Sequence, residues 1–167
     1  SDIVDYLLYV DKKTGLPNRE KLNIYIGEMA GKVLPEAFTC FNLSLDNLSE
    51  LTKRFGYTVG DGVLKDFAGL VQLMGDTEGM RGYNGVGRFV VFFEECSSKK
   101  AAAMIRILDN QVEEYNSLNP EYPIRYTAAW ATTEETDTYE IRELLRLSQK
   151  KWKQMEKEKK DKTEEET

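Results

Sequence analysis

Apolar and polar positions alternate along "AFTCFNLSLD": Phe41, Leu43 and Leu45 point one way, and Asn42, Ser44 and Asp46 point the other. That two-residue period predicts a strand with one apolar and one polar face. Elsewhere the period is helical. "VGDGVLKDFAGLVQLM" sets Val63, Leu64, Phe67, Ala68, Val71 and Met74 on one stripe. "SSKKAAAMIRILDNQVEEYNSL" does the same with Ala101, Met104, Ile105, Leu108, Val112 and Tyr115, capped by Ser97 or Ser98. "TYEIRELLRLSQKKWKQM" carries Ile141, Leu144, Leu145, Ser148, Trp152 and Met155 on one side, a stripe read as core packing. "NLSELTKRFG" is a short helix stopped by Gly56, and "PIRYTAAWA" is a strand. "RGYNGVGRFVVFFEE" is a hairpin that turns at Gly85-Val86-Gly87. Ahead of these lie a short amphipathic helix in "DIVDYLLYV" and a second helix that Asn18 caps, running to about Gly31.

After the two lead-in helices the order is β-α-α-β-β-α-β-α. A hairpin between strand–helix units predicts an α+β, ferredoxin-like (split βαβ) fold, with a mixed sheet and helices packed on one face. Residues 1–10 form the lead-in helix and 11–157 the domain. The tail 158–167, almost wholly charged, is expected to fray.

Composition narrows the chemistry. The 167 residues suit one domain with a proper core. The net charge of −6 disfavours a nucleic-acid binder or an anionic membrane surface. The absence of histidine removes the usual general base and imidazole metal ligands. Cys40 and Cys96 lie in apolar strand-like runs and read as buried free thiols, which fits a reducing compartment. No run reaches the roughly 18 apolar residues of a membrane span. The opening is too short and acidic for a signal peptide.

Three landmarks bear on function. "DKKTGLPNR" resembles the Asp-x-x-Thr-Gly-Leu-x-Asn-Arg entry of the GGDEF family, the diguanylate cyclases, at Asp11, Thr14, Gly15, Leu16, Asn18 and Arg19. "LDNLSELTKRFGYTVGDGVL" is similar to the segment that follows the family's first strand, with Gly60-Asp61 at the right spacing. "NGVGRFVVFF" falls where the Gly-Gly-Asp-Glu-Phe signature hairpin belongs. The resemblance covers roughly residues 8 to 155. It implies a nucleotide-cyclase-type sheet and an ancestral chemistry that joins two GTP molecules into cyclic di-GMP across a dimer. Two carboxylates there hold magnesium.

Residue by residue, most of that apparatus is absent. The first-strand metal aspartate falls on Ser44, while Asp46, the second of the pair, is kept. The guanine-reading asparagine falls on Thr52, and the second guanine contact is kept as Asp61. In the signature, Gly85 and Phe89 survive; the second glycine is Val86, the metal-binding acid is Gly87 and the next acid is Arg88. In the last helix the family's tyrosine is Trp152 and its phosphate lysine is Met155. The Arg-x-x-Asp inhibitory motif would need positions 76 and 79, which are Asp76 and Gly79. The resemblance thus implies no catalytic residue and no intact metal site. No cofactor is expected; Mg²⁺ with GTP would be needed only by a nucleotide-binding alternative, whose degenerate site would use Asp61, Thr52, Gly85 and Arg88.

Each of these residues also has a structural reading. Asp61 suits an N-cap, Asp46 a strand-end turn or cap, Gly85 and Gly87 a tight hairpin, and Arg88 a solvated or salt-bridged position on the polar side of its strand. Three readings therefore stand: a degenerate signalling domain that regulates or binds protein, a non-catalytic GTP or nucleotide sensor, and an active cyclase with an unusual metal site. The expected partners are other domains of a longer chain or a separate protein, with a homodimer and GTP left open and no nucleic acid or membrane contact. The expected location is the cytoplasm, including the cytoplasmic part of a membrane-bound sensor.

Overall fold

The computed structural model describes residues 1–75 and 78–166. Four strands form one sheet: β1 (Thr39–Leu45), β2 (Gly79–Gly85), β3 (Arg88–Phe93) and β4 (Tyr126–Thr132). Their spatial order is β2-β3-β1-β4. Every neighbouring pair is antiparallel, so the sheet is not mixed as expected. The split arrangement accounts for this: β3 returns from its hairpin with β2 and inserts beside β1, against the direction of both neighbours.

Helices cover both faces, which corrects the one-face expectation. On one face Phe41, Leu43, Phe89, Val91 and Phe93 pack with Val63, Phe67, Val71, Met104 and Leu108. Those last residues belong to α4 (Tyr57–Gln72) and α5 (Ser98–Leu118). On the other face Cys40, Val90, Phe92 and Ala131 meet Leu22, Ile26, Ile141 and Leu144. These come from α2 (Arg19–Met29) and α7 (Ile141–Glu166). All seven residues of β1 are buried, its polar face included. The remaining helices are α1 (Asp2–Tyr9), α3 (Leu48–Phe55) and the four-residue α6 (Thr133–Thr136), which the hydrophobic pattern does not reveal.

Local chemistry explains several boundaries. Asn18 caps α2, its Oδ1 accepting from the Lys21 amide at 3.0 Å. Ser97 caps α5 through the Lys100 amide. In the charged tail, α7 continues to Glu166. Lys, Glu and Gln are good helix formers, and Gln154 bonds Glu158 one turn on.

Arg81 is a buried cation that serves the fold. Its guanidinium donates to the carbonyls of Val71, Met74 and Gly79 and stacks on Phe93. Val71 lies in the last turn of α4 and Met74 just beyond it, where free carbonyls and the helix dipole favour a positive charge. Cys40 and Cys96 are buried free thiols, as the sequence implies. Among the described residues, no helix is long and apolar enough to cross a membrane.

Candidate functional site

The site lies where the end of β1, the β2–β3 hairpin and α7 meet. The entry segment 11–19 braces the hairpin. Asp11 accepts from the amide and the hydroxyl of Thr14, each at 2.8 Å, which closes the turn that buries Leu16. Pro17 then accepts from the Tyr83 amide. Arg19 reaches the hairpin, donating to the carbonyl of Asn84 at 2.5 Å and to its side chain at 3.2 Å. A conspicuous sequence motif thus works as a clamp between α2 and the hairpin.

The hairpin itself is strained. Gly85, Val86 and Gly87 all have positive φ, at 85°, 52° and 73°. Gly85 pairs with Arg88, which leaves a two-residue loop of Val86 and Gly87. Such loops favour the left-handed region at both positions. Glycine enters that region freely, whereas a β-branched valine does so at a cost. A Cβ on Gly87 would also lie 3.1 Å from the Leu45 carbonyl. Tyr83 pins the loop, its hydroxyl accepting from the Gly87 amide at 2.8 Å.

The polar face of β1 points at α7 in matched rungs. Asn42 bonds Ser148 and Ser44 bonds Trp152, while Asp46 and Glu156 line one cleft. Four helical residues advance about 6 Å and two strand residues about 6.7 Å, so the two periods stay nearly in step. The Trp152 indole N–H donates to the Ser44 hydroxyl at 2.8 Å, and Ser44 donates to Asp46 at 2.6 Å. Asp46 also accepts from Thr127 at 2.5 Å. The Arg88 guanidinium lies over the Trp152 ring, 3.5 Å from its centre. The solvated reading of Arg88 is therefore wrong: Arg88 is half-buried, and burial lowers its pKa. Trp152 and Met155 are likewise half-buried at the cleft edges rather than in the core.

These residues border a cleft of about 580 Å³, lined by Ser44, Asp46, Leu48, Gly85, Arg88 and Trp152 among others. Thr52 and Asp61 are not in its lining. Thr52 lies at the crossing of α3 and α4, where a Cβ on Gly60 would come 2.3 Å from its Oγ1. Asp61 pairs with Lys13 at 3.4 Å. Asp61 does not cap α4 either, because that helix starts at Tyr57. The structure thus brings Ser44, Asp46, Gly85 and Arg88 together and leaves Thr52 and Asp61 outside. Met155 lines a separate recess beside Trp130. Asp76 lies outside the described residues. On Gly79, an added Cβ would collide with Phe93 at 2.6 Å.

The electrostatics centre on Asp46. Burial and the adjoining Glu156 carboxylate push its pKa up to about 6. For Glu156, burial works upward, but its polar neighbours and the Lys159 and Lys160 charges outweigh it and hold this carboxyl below its usual range.

A family model described as "Diguanylate cyclase, GGDEF domain" matches residues 8–162. The chain belongs to the GGDEF family. No curated protein matches it in sequence. Among solved structures, a diguanylate cyclase/phosphodiesterase from Caldicellulosiruptor saccharolyticus is similar with a TM-score of 0.69 and 19% identity, over 91% of each chain. The active GGEEF domain of a diguanylate cyclase from Vibrio cholerae gives 0.65 and 19%, over 72% of this chain and 77% of that one. The LapD S helix-GGDEF-EAL protein of Vibrio cholerae, bound to c-di-GMP, gives 0.62 and 13% over 78% of this chain, which spans only 30% of its length. These likenesses establish the fold.

The magnesium ions of cyclase chemistry do not fit the residues of this GGDEF domain. Mg²⁺ takes oxygen ligands in a tight octahedron and favours carboxylates. Here one family position is a serine already bonded on two sides, the other is a glycine without a side chain, and a guanidinium stands beside them. Among the described residues no group of three or more acidic or thiol side chains gathers to hold a metal. Sequence reasoning missed Glu156, Lys159 and the role of Trp152. The available signal was the four-residue spacing of Ser148, Trp152 and Glu156 on the stripe of the last helix.

Proposed function

We propose that this GGDEF domain makes no cyclic di-GMP and acts as a regulatory or protein-interaction module of a signalling chain. The observation that supports this reading is the residue pair at the two family metal positions: Ser44, a hydroxyl bonded to Trp152 and Asp46, and Gly87, which has no side chain, with the Arg88 guanidinium stacked on Trp152 nearby. Cyclase chemistry depends on charge neutralisation at phosphate and on activation of a hydroxyl, both supplied by metal. A guanidinium can neutralise phosphate but cannot lower the pKa of a hydroxyl as a bound divalent ion does. As a signalling domain it would work in the cytoplasm, beside other domains of a longer chain; several of its structural neighbours are themselves parts of multidomain chains.

A second reading, a nucleotide sensor without turnover, is favoured by one observation. The cleft at Gly85 and Arg88 is open and large enough for part of a nucleotide, and the Arg88 Nε has no hydrogen-bond partner. Titration calorimetry with GTP, with and without Mg²⁺, separates the two. The module reading predicts no heat of binding in either case. Saturable binding lost in Arg88→Gln establishes the sensor instead.

A further inference from the structure

The sheet has two edges, β2 and β4, and they are finished differently. Unpaired main-chain groups along an edge template a further strand, and proteins blunt them with bulges, charge, proline or cover. β2 is blunted: a bulge lies between Tyr83 and Gly85, and the Pro17 carbonyl accepts the outward Tyr83 amide. β4, with the sequence YTAAWAT, carries no charge, proline or bulge, and its seven residues pair with β1 in unbroken register.

The ladder shows which β4 groups face outward. The Asp46 amide bonds the Arg125 carbonyl, while the Leu45 amide turns the other way, to Gly87. Bonded pairs alternate in an antiparallel ladder. Thr127, Ala129 and Ala131 therefore bond β1, and the N–H and C=O groups of Tyr126, Ala128, Trp130 and Thr132 face away from it. At the two ends, Lys159 donates to the Tyr126 carbonyl and the Thr136 hydroxyl to the Thr132 carbonyl, each at 2.8 Å. Between them, among the described residues, no other group bonds the outward main chain of Ala128 and Trp130. A recess of about 370 Å³ borders this stretch, lined by Ala129, Trp130, Ser98 of α5 and Lys151, Met155 and Glu158 of α7, among others.

We propose that the β4 edge takes up an extended segment of a partner protein as a fifth strand, and that this segment is basic at both ends. Ala128 and Trp130 offer donor and acceptor alternately, the main-chain pattern that an added strand matches. Its apolar side chains would meet Trp130 on the α5 face and Met155 on the α7 face. The inference gives a surface to the protein-interaction reading. The two fail separately, because a dinucleotide product would sink that reading and leave the edge as it is.

Charge selects the occupant. Glu135 lies just past the end of β4, in α6, and Glu158 adjoins Lys159, which is anchored at the start of β4. Both border the recess, both are exposed, and neither forms an ion pair among the described residues. Each end of the groove thus favours a cation. Lys151, about two turns back from Glu158 along α7, disfavours a cation between the ends. A second copy is disfavoured by the same charges. Twofold antiparallel pairing of β4 with itself would set Glu135 of each copy against Glu158 of the other, and opposed like charges destabilise paired strands.

The test is amide hydrogen exchange and NMR titration of the protein with three synthetic peptides: Lys-Val-Thr-Val-Thr-Val-Lys, its Glu-ended counterpart, and a Lys-ended form with proline at the centre. In the free protein the amides of Ala128 and Trp130 should exchange at least about tenfold faster than those of Ala129 and Ala131. The Lys-ended peptide should shift residues 126–132 and 151–158 saturably and protect those two amides. The Glu-ended peptide should bind about tenfold more weakly, and the proline form not at all. Glu135→Lys combined with Glu158→Lys should reverse the charge order; if that variant does not fold, the three peptides on the parent protein decide. No saturable shift at about 1 mM Lys-ended peptide, shifts confined to another surface, or equal affinity for the two charged peptides would overturn the proposal. So would protection of Ala128 and Trp130 in the free protein. Protection that grows with protein concentration would identify a second copy as the occupant, and protection independent of concentration would show the edge closed.

Discussion

Replacing Val86 by asparagine should stabilise the domain. Val86 stands in the left-handed region at φ 52°, between two glycines that enter it at no cost. For an L-residue that conformation costs roughly 1–2 kcal/mol, and branching at Cβ worsens it. The valine recovers almost nothing in return, because 89% of it is exposed. Asparagine tolerates the same backbone through local hydrogen bonding and is the usual first residue of such a loop. The expected gain is about 0.5–1 kcal/mol. For a domain of this size that corresponds to a Tm rise of about 1–4 °C. Urea melts should show a higher midpoint with unchanged m, since the buried surface is the same. In contrast Gly87→Ala, at φ 73° and with its Cβ 3.1 Å from a backbone oxygen, should lose about 1 kcal/mol or more. Val86→Asn melting at or below the parent would refute the reasoning, because it would mean that the valine side chain makes contacts worth as much as its backbone strain.

Three other outcomes test separate parts of the structure. A double-mutant cycle of Arg88→Ala with Trp152→Leu should give a coupling of about 1 kcal/mol in denaturant melts, the value of a partly dehydrated cation–π contact, whereas a solvated Arg88 would give none. Asn18→Ala removes the α2 cap and should cost about 1 kcal/mol by the same assay. Arg81→Met keeps the apolar stem but strands the α4 carbonyls, so a loss of about 2–3 kcal/mol is expected by thermal melting.

The strand and helix pattern was legible because burial imposes a period. Phe41, Leu43 and Leu45 alternate, and Val63, Phe67 and Val71 recur each turn; each set faces one core. Strand direction was not legible, since alternation is the same in parallel and antiparallel pairs. The polar face of β1 was read correctly as polar and its environment was missed. Asn42, Ser44 and Asp46 look like solvent-facing residues until α7 supplies Ser148, Trp152 and Glu156 as partners, and those lie more than a hundred residues away. The same distance hid Arg88: a strand-end arginine is indistinguishable from a stacked one without knowledge of which helix covers it. The helical continuation of the charged tail was not legible, because composition alone does not separate a solvated coil from a solvated helix. At the candidate site, spacing within a motif located Gly85, Gly87 and Ser44, which share one cleft. Thr52 and Asp61 belong to the same family pattern but to a different surface, and only the crossing of α3 and α4 at Gly60 separates them.

The central claim is that Ser44 and Gly87 leave the domain without cyclase activity, and direct product analysis tests it. The protein, at high concentration, is incubated with GTP and Mg²⁺, and separately with Mn²⁺, and the nucleotides are resolved by chromatography. The account predicts that GTP is recovered unchanged and that no cyclic di-GMP forms. A dinucleotide peak that grows with protein concentration and disappears with EDTA would contradict it.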